Sequence, residues 1–178
     1  IFTTPNEIPA VTESAQIGMR NFAEINHNMS ALTGVNQETA KVFNTYQLVK
    51  RQLPSIDNIE TYISAQQMGI TQLAIAYCDT AIENDTLRNH WFPDVDFNQP
   101  PNIALSSSER TKLLTPLLTQ LIPLNAATQP DKTLVYNELD RLITRLSVCD
   151  GTCTQERTRT IAKASCTAVL ASAVMLVQ

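Results

Sequence analysis

From Ile59 to Tyr77 one face of the chain is apolar at helical spacing. Ile59, Ile63, Gln66, Ile70, Leu73 and Tyr77 follow one another at intervals of 4, 3, 4, 3 and 4 residues. A period near 3.6 held over that length belongs to an α-helix. A second stripe, Ala74, Ile75, Cys78 and Ile82, widens the apolar face. A helix apolar over so wide an arc has to be surrounded by others. "DNIE" matches a capping box, with Asp57 at the cap and Glu60 three residues on. The spacing therefore predicts one long central helix over Asp57–Asn84, broken at "NDT".

The remaining segments read the same way. Phe22, Ile25, Met29 and Leu32 form a stripe that "TGV" ends, with Gly34 in the left-handed C-cap position and Val35 folding back on the last turn. Asn36 reads as the N-cap of the next helix, whose stripe is Val42, Tyr46, Val49 and Leu53, stopped by Pro54. A helical turn through Leu87, Trp91 and Phe92 ends at Pro93. "PDVDFNQPPNIALSSS" is one long irregular segment. Ser106 and Glu109 in "SSSE" then form a capping box for a helix faced by Leu114, Leu117, Leu118, Leu121 and Ile122, which Pro116 should kink or split. Asp131 caps a helix with the stripe Val135, Leu139, Leu142, Ile143 and Leu146. The last helix is expected over Thr154–Val177. No segment alternates with period two. The expected fold is an all-α bundle of about six main helices with short loops. Residues 13–178 form its single domain, and residues 1–12 form an extended N-terminal arm or linker.

Four cysteines, Cys78, Cys149, Cys153 and Cys166, have to be accounted for. Covalent haem attachment needs Cys-x-x-Cys-His, and a thioredoxin-type couple needs Cys-x-x-Cys beside a βαβ unit; neither is present. Zinc needs four ligands, and no second Cys or His pair stands at ligand spacing beside Cys149 and Cys153. Disulfides remain. Cys149 and Cys153 flank "DGT", where Gly151 permits a sharp reversal. Cys78 and Cys166 each lie on the apolar stripe of a long helix, so adjacent helices would bring them together. The expected bridges are Cys149–Cys153 and Cys78–Cys166, which place the chain in an oxidising compartment: outside the cell, at its surface, or in a periplasm.

Composition limits the function classes. Lys and Arg number 13 against 17 Asp and Glu, a net charge of -4, which disfavours a general nucleic-acid partner. The most apolar stretch, Ala164–Val177, falls short of the roughly 20 residues a membrane-spanning helix needs. Only four glycines are present, none in a phosphate-binding loop, and there is no Gly-x-Ser-x-Gly. Glu24 and His27 stand at i and i+3, as in di-iron bundles, but His90 has Leu87 three before it, so the motif does not recur. Asp94, Asp96 and Asn98 match positions 1, 3 and 5 of a calcium loop, whereas Gln99 and Leu105 replace its Gly and Glu; they remain a calcium candidate without an EF-hand. Asp79 and Glu83, one turn apart, are candidates for a carboxylate pair in hydrolysis. Arg157 and Arg159 decorate the start of the last helix, and Asn28 and Asn84 fit the glycosylation sequon. No cofactor is implied.

Three stretches, "EINHNMSALTGV" (Glu24–Val35), "RQLPSIDNIETYISAQQMGITQLAIAYCD" (Arg51–Asp79) and "RTRTIAKASCTAVLASAVMLVQ" (Arg157–Gln178), resemble the helical C-terminal region of large secreted bacterial proteins that carry LamG, concanavalin-like domains upstream. The resemblance implies export and a surface or extracellular location, and brings no catalytic residue. The expected role is a non-enzymatic structural or interaction module, self-assembling or bound to other domains of a longer polypeptide. Ile1, Phe2 and Ile8 of the arm are the expected assembly contacts. The rival is an extracellular carboxylate-dependent hydrolase, or a calcium-binding helical domain, using Asp79, Glu83, Asp94 or Asp96. An open apolar face favours assembly; two of those carboxylates in one pocket favour the rival.

Overall fold

Helix caps and prolines divide the chain more finely than its apolar stripes suggest. The computed structural model describes residues 20–52, 64–122, 131–172 and 175–176. Among these residues there are eight helices and no strand: α1 Phe22–Thr33, α2 Ala40–Lys50, α3 Ser64–Glu83, α4 Asp85–Trp91, α5 Pro101–Ala104, α6 Thr111–Leu121, α7 Lys132–Leu146 and α8 Gln155–Leu170. The expected count of about six is low because α4 and α5 are separate short helices. α5 begins with Pro101 in its first turn, where the missing N–H costs nothing, and lies inside the segment expected to be irregular. Leu53 and Pro54, the Asp57–Glu60 capping box, Ile59 and Ile63, and the arm with Ile1, Phe2 and Ile8 lie outside the described residues.

α3 is the central helix. It packs along α8 and α2, and also against α1 and α4. Its buried residues include Gln66, Ile70, Leu73, Ala74, Tyr77, Cys78 and Ile82, as the stripes predict. Ile75 departs from the prediction: it is 49% exposed. It lies on the arc between the α2 and α8 contacts, which no described helix covers. α8 runs antiparallel to α3. Cys166 bridges Cys78 near one end of the contact, and the Gln67 side chain donates to the Ala171 carbonyl, 3.0 Å away, near the other. That bond satisfies a carbonyl at the end of α8, where the ladder stops. The helix ends at Leu170, short of the expected Val177: the Ala171 and Ser172 amides turn back to Thr167 and Val169, and Met175 bonds Ser172. This turn carries Leu176 to the beginning of α1, where the Arg20 amide donates to its carbonyl (2.8 Å).

Capping follows the sequence in some places and corrects it in others. Gly34 ends α1 at φ 71°, its amide bonding the Ser30 carbonyl, and Val35 folds into the core. Asp131 caps α7 and Asn84 caps α4. Asn36 does not cap α2. Its side chain accepts from the Glu38 amide and organises the turn before it, so α2 starts at Ala40. Ser106 and Glu109 form no capping box: residues 107–110 are turns, the Ser106 hydroxyl faces Ser108, and Glu109 pairs with Lys112. Pro116 does not split α6, which runs unbroken around it with Leu113, Leu114, Leu117, Leu118 and Leu121 buried. Arg110 joins α6 to α7, donating to the Leu105 carbonyl, Asp140 and Thr144.

Candidate functional site

The α3–α8 contact holds the densest chemistry among the described residues. Cys78 and Cys166 stand at disulfide distance, Cα–Cα 5.8 Å, and neither is exposed. Because the helices are antiparallel, Asp79 and Glu83 on α3 face Lys163, which precedes Cys166 by one turn on α8. Lys163 Nζ is 2.8 Å from Asp79 Oδ1 and also binds the Glu83 carboxylate. From the opposite side Lys41 of α2 reaches Asp79 Oδ2. The expected carboxylate pair is therefore brought together, but held by two ammonium groups. Burial alone would raise the pKa of Asp79; hydrogen bonds from Lys163 and Lys41 outweigh it and hold the carboxyl below its ordinary value. Lys163 is the mirror case, with burial opposed by Asp79 and Glu83, and its pKa is raised. A carboxylate held ionised by two lysines is a weak base and holds no proton to give at neutral pH, so the arrangement suits clamping three helices more than proton transfer.

The two lysines reach Asp79 from either side of the exposed arc of α3. Along that arc Met68 is 60% and Ile75 is 49% exposed, with Ala65 and Gln72 also exposed. Leu48, 57% exposed, stands on α2 two turns from Lys41 and on the same edge, since seven residues nearly complete two turns. On the α8 side Ala164, Thr167 and Ala168 are small and uncharged. These residues share an exposed face of α2, α3 and α8, apolar in its middle and bounded at one end by the ion network.

Glu24 and His27 are not brought to a second such pair. Glu24 accepts from the Asn21 amide while the Asn21 side chain accepts from the Glu24 amide, a capping box for α1. His27 Nδ1 is 3.5 Å from Gln37 Nε2. Both residues border an open cleft of about 550 Å³ lined by Arg20, Asn21, Ala23 and Asn28. Asp96 accepts from the Asn98 amide in a tight turn, and Asp94, Asp96 and Asn98 are exposed while Val95 and Phe97 between them, and Phe92 before them, are buried. The side chains alternate in this way because the loop is pinned by its aromatics and by Thr158, whose hydroxyl donates to the Gln99 carbonyl. Among the described residues, no group of three or more His, Cys, Asp or Glu stands where it could hold a metal ion. No described helix is long and apolar enough to cross a membrane.

Cys149 and Cys153 also stand at disulfide distance, Cα–Cα 5.7 Å, across a turn with Gly151 at φ 101°. Arg157 bonds the Leu146 carbonyl at the end of α7, so it fastens the α7–α8 corner. Arg159 pairs loosely with Glu156 (3.8 Å).

Sequence reasoning missed three groups. Lys41 and Lys163 carry no motif; only the Cys78–Cys166 pairing, taken with antiparallel helices, would have placed Lys163 beside Glu83. The Asn21–Glu24 box was legible as Asn-x-x-Glu. The third is Tyr77, fully buried, whose hydroxyl donates to Asn26 Oδ1 (2.7 Å) while Asn26 donates to Gln37. Nothing in the spacing of these residues announced that bond. Compared with protein-family models, curated proteins and solved structures, the chain matches none.

Proposed function

We propose that this chain is a non-enzymatic structural or interaction module of an exported protein, and that it assembles with a second copy of itself through the α2–α3–α8 face. The carrying observation is the exposed row of Leu48 on α2 with Met68 and Ile75 on α3, the helix that a buried disulfide ties to α8. Large apolar side chains grouped on a rigid face mark an interaction surface more often than chance exposure does.

The face is suited to its own copy. Ala65, Met68, Gln72 and Ile75 repeat at 3, 4, 3, the seam spacing of packed helices, with one polar residue in the row to set register. A two-fold axis beside Gln72 lays Met68 on the partner's Ile75 and pairs the two Gln72 amides. The charges agree with that arrangement. Asp79 and Glu83 stand at one end of the face. α2 runs back along α3 from Lys41, so Arg51, its exposed C-cap, stands toward the other. An antiparallel pair turns each Arg51 toward the opposite copy's carboxylates. Export is supported by the two disulfides and by the resemblance to the helical region of secreted LamG-containing proteins. The hydrolase reading gains no support from the ion network, which occupies Asp79 and Glu83.

Sedimentation equilibrium tests this. The expected result is a dimer that Met68→Lys and Ile75→Lys convert to monomer with helix content unchanged. A wild-type chain that stays monomeric up to about 100 μM would sink the proposal, because interfaces that bury an apolar face of standard size hold well below that concentration.

A further inference from the structure

The two disulfides differ in everything that governs attack by a thiol. Cys78–Cys166 is closed to solvent on both sulfurs' residues and spans 88 positions of sequence. Cys149–Cys153 spans 4, both residues are partly exposed, and with Asp150, Thr152 and Arg157 they line an open cleft of about 270 Å³. An atom added at Gly151 would meet nothing within 4 Å, so the tip of the turn is open. The corner is also prepared for the charge that opening the bridge creates. Cys153 immediately precedes Thr154, the N-cap of α8, which makes no side-chain capping bond; the Thr154 carbonyl takes the Arg157 amide (3.1 Å), and the Gln155 and Glu156 amides at the start of this 16-residue helix are left for another acceptor.

We propose that Cys149–Cys153 is a thiol–disulfide exchange site for low-molecular-mass thiols, with Cys149 the sulfur attacked and Cys153 the leaving group. An incoming thiolate forms a bond to Cys149 Sγ; the Cys149–Cys153 bond breaks, and its electron pair stays on Cys153 as thiolate. A second thiolate attacks the mixed disulfide at the external sulfur, releasing the oxidised small disulfide and the Cys149 thiolate. Each protein thiolate takes its proton from water. Two small thiols are oxidised as one protein disulfide is reduced. The cleft, the absence of a side-chain cap on α8 and the sequence order choose Cys153 as the better anion, because a thiolate beside a helix N-terminus has a lowered pKa and a low-pKa thiol leaves faster. The Cys78–Cys166 pair takes no part, since no thiolate reaches it while α3 and α8 are packed. This inference does not depend on self-assembly.

The folded protein is incubated with graded reduced glutathione, quenched in acid, alkylated and mapped by mass spectrometry. Cys149–Cys153 is expected to open at least 10-fold faster than Cys78–Cys166, a difference of about 1.4 kcal/mol in barrier. In Cys153→Ser, oxidised glutathione should trap a mixed disulfide on Cys149. In Cys149→Ser, the pH dependence of Cys153 alkylation should show a pKa below the ordinary value of about 8.5. Two bridges that open together, or a short bridge that resists until the helices melt, overturn the proposal. A Cys153 pKa at or above the ordinary value overturns the assignment of the leaving sulfur.

Discussion

Lys163 Nζ stands 2.8 Å from Asp79 Oδ1, one helical turn from the Cys78–Cys166 bridge. Covalent and ionic links thus tie the same two helices at the same level, and Lys41 adds α2 to the clamp.

Replacing Asp79 with Asn should destabilise the fold by on the order of 1 kcal/mol, the range for a partly exposed ion pair with more than one partner. The pH dependence follows from the directions of the two pKa values. Asp79 is lowered below 3.8, so its contribution is complete above that value and is lost as pH falls through the lower folded-state pKa. Lys163 is raised above 10.5, so its contribution is complete below that value and is lost as pH rises through the higher one. Urea melts from pH 2 to 12 should show a plateau between these limits, and Asp79→Asn should flatten the acid side. An unchanged acid side would mean the clamp is solvated in solution.

Tyr77 gives a spectroscopic test. Burial pushes its phenol from 10.0 up to about 12. Absorbance titration should therefore show a tyrosine step near pH 12, or at the opening of the fold, that Tyr77→Phe removes. The sign is that of a raised pKa: the stability it lends is whole below 10.0 and disappears through the folded value. Tyr77→Phe should cost about 1–3 kcal/mol, because it strands the buried Asn26 oxygen without a donor.

The two bridges should contribute unequally to stability. By loop-closure entropy, losing Cys78–Cys166 costs about 4–5 kcal/mol and losing Cys149–Cys153 about 2 kcal/mol, because the loops they close differ so much in length. Calorimetry of the paired Cys→Ala variants reads this directly; equal losses would show that strain or packing, rather than loop closure, sets the difference.

Gly34→Ala should destabilise by about 1–2 kcal/mol, the cost of a left-handed backbone for a residue with a Cβ. The new atom would also sit 3.3 Å from Leu87 Cδ2, tying the loss to the α1–α4 contact. Chemical denaturation decides it, and a loss near zero would mean the α1 terminus can relax.

Local signals carried the fold where one residue type has one physical reading. Gly34, Asp131 and the Leu114–Ile122 face came through because a left-handed cap, a carboxylate cap and a leucine stripe need no knowledge of neighbours. Asn36 and Ser106 failed because a capping side chain also organises turns, and only the position of the next amide decides which. Ile75 failed for a related reason. An isoleucine on an otherwise buried helix reads as core in the sequence, while its exposure depends on whether another helix arrives, which is a property of the whole packing. The Lys41–Asp79–Lys163 clamp was hidden because its members come from three helices and share no motif.

The Arg20 amide bond to the Leu176 carbonyl has a mechanical meaning. Tension applied between these two positions pulls on adjacent points, so it peels the α1 end from the turn after α8 one bond at a time and does not shear whole helices. The covalent link between Cys78 and Cys166 then limits how far the chain can pay out. The 88-position span it closes never enters the load path, withholding roughly 300 Å of contour length at about 3.5 Å per residue. Under load this unit yields from its paired ends, and the bridge keeps more than half of the contour between them out of reach.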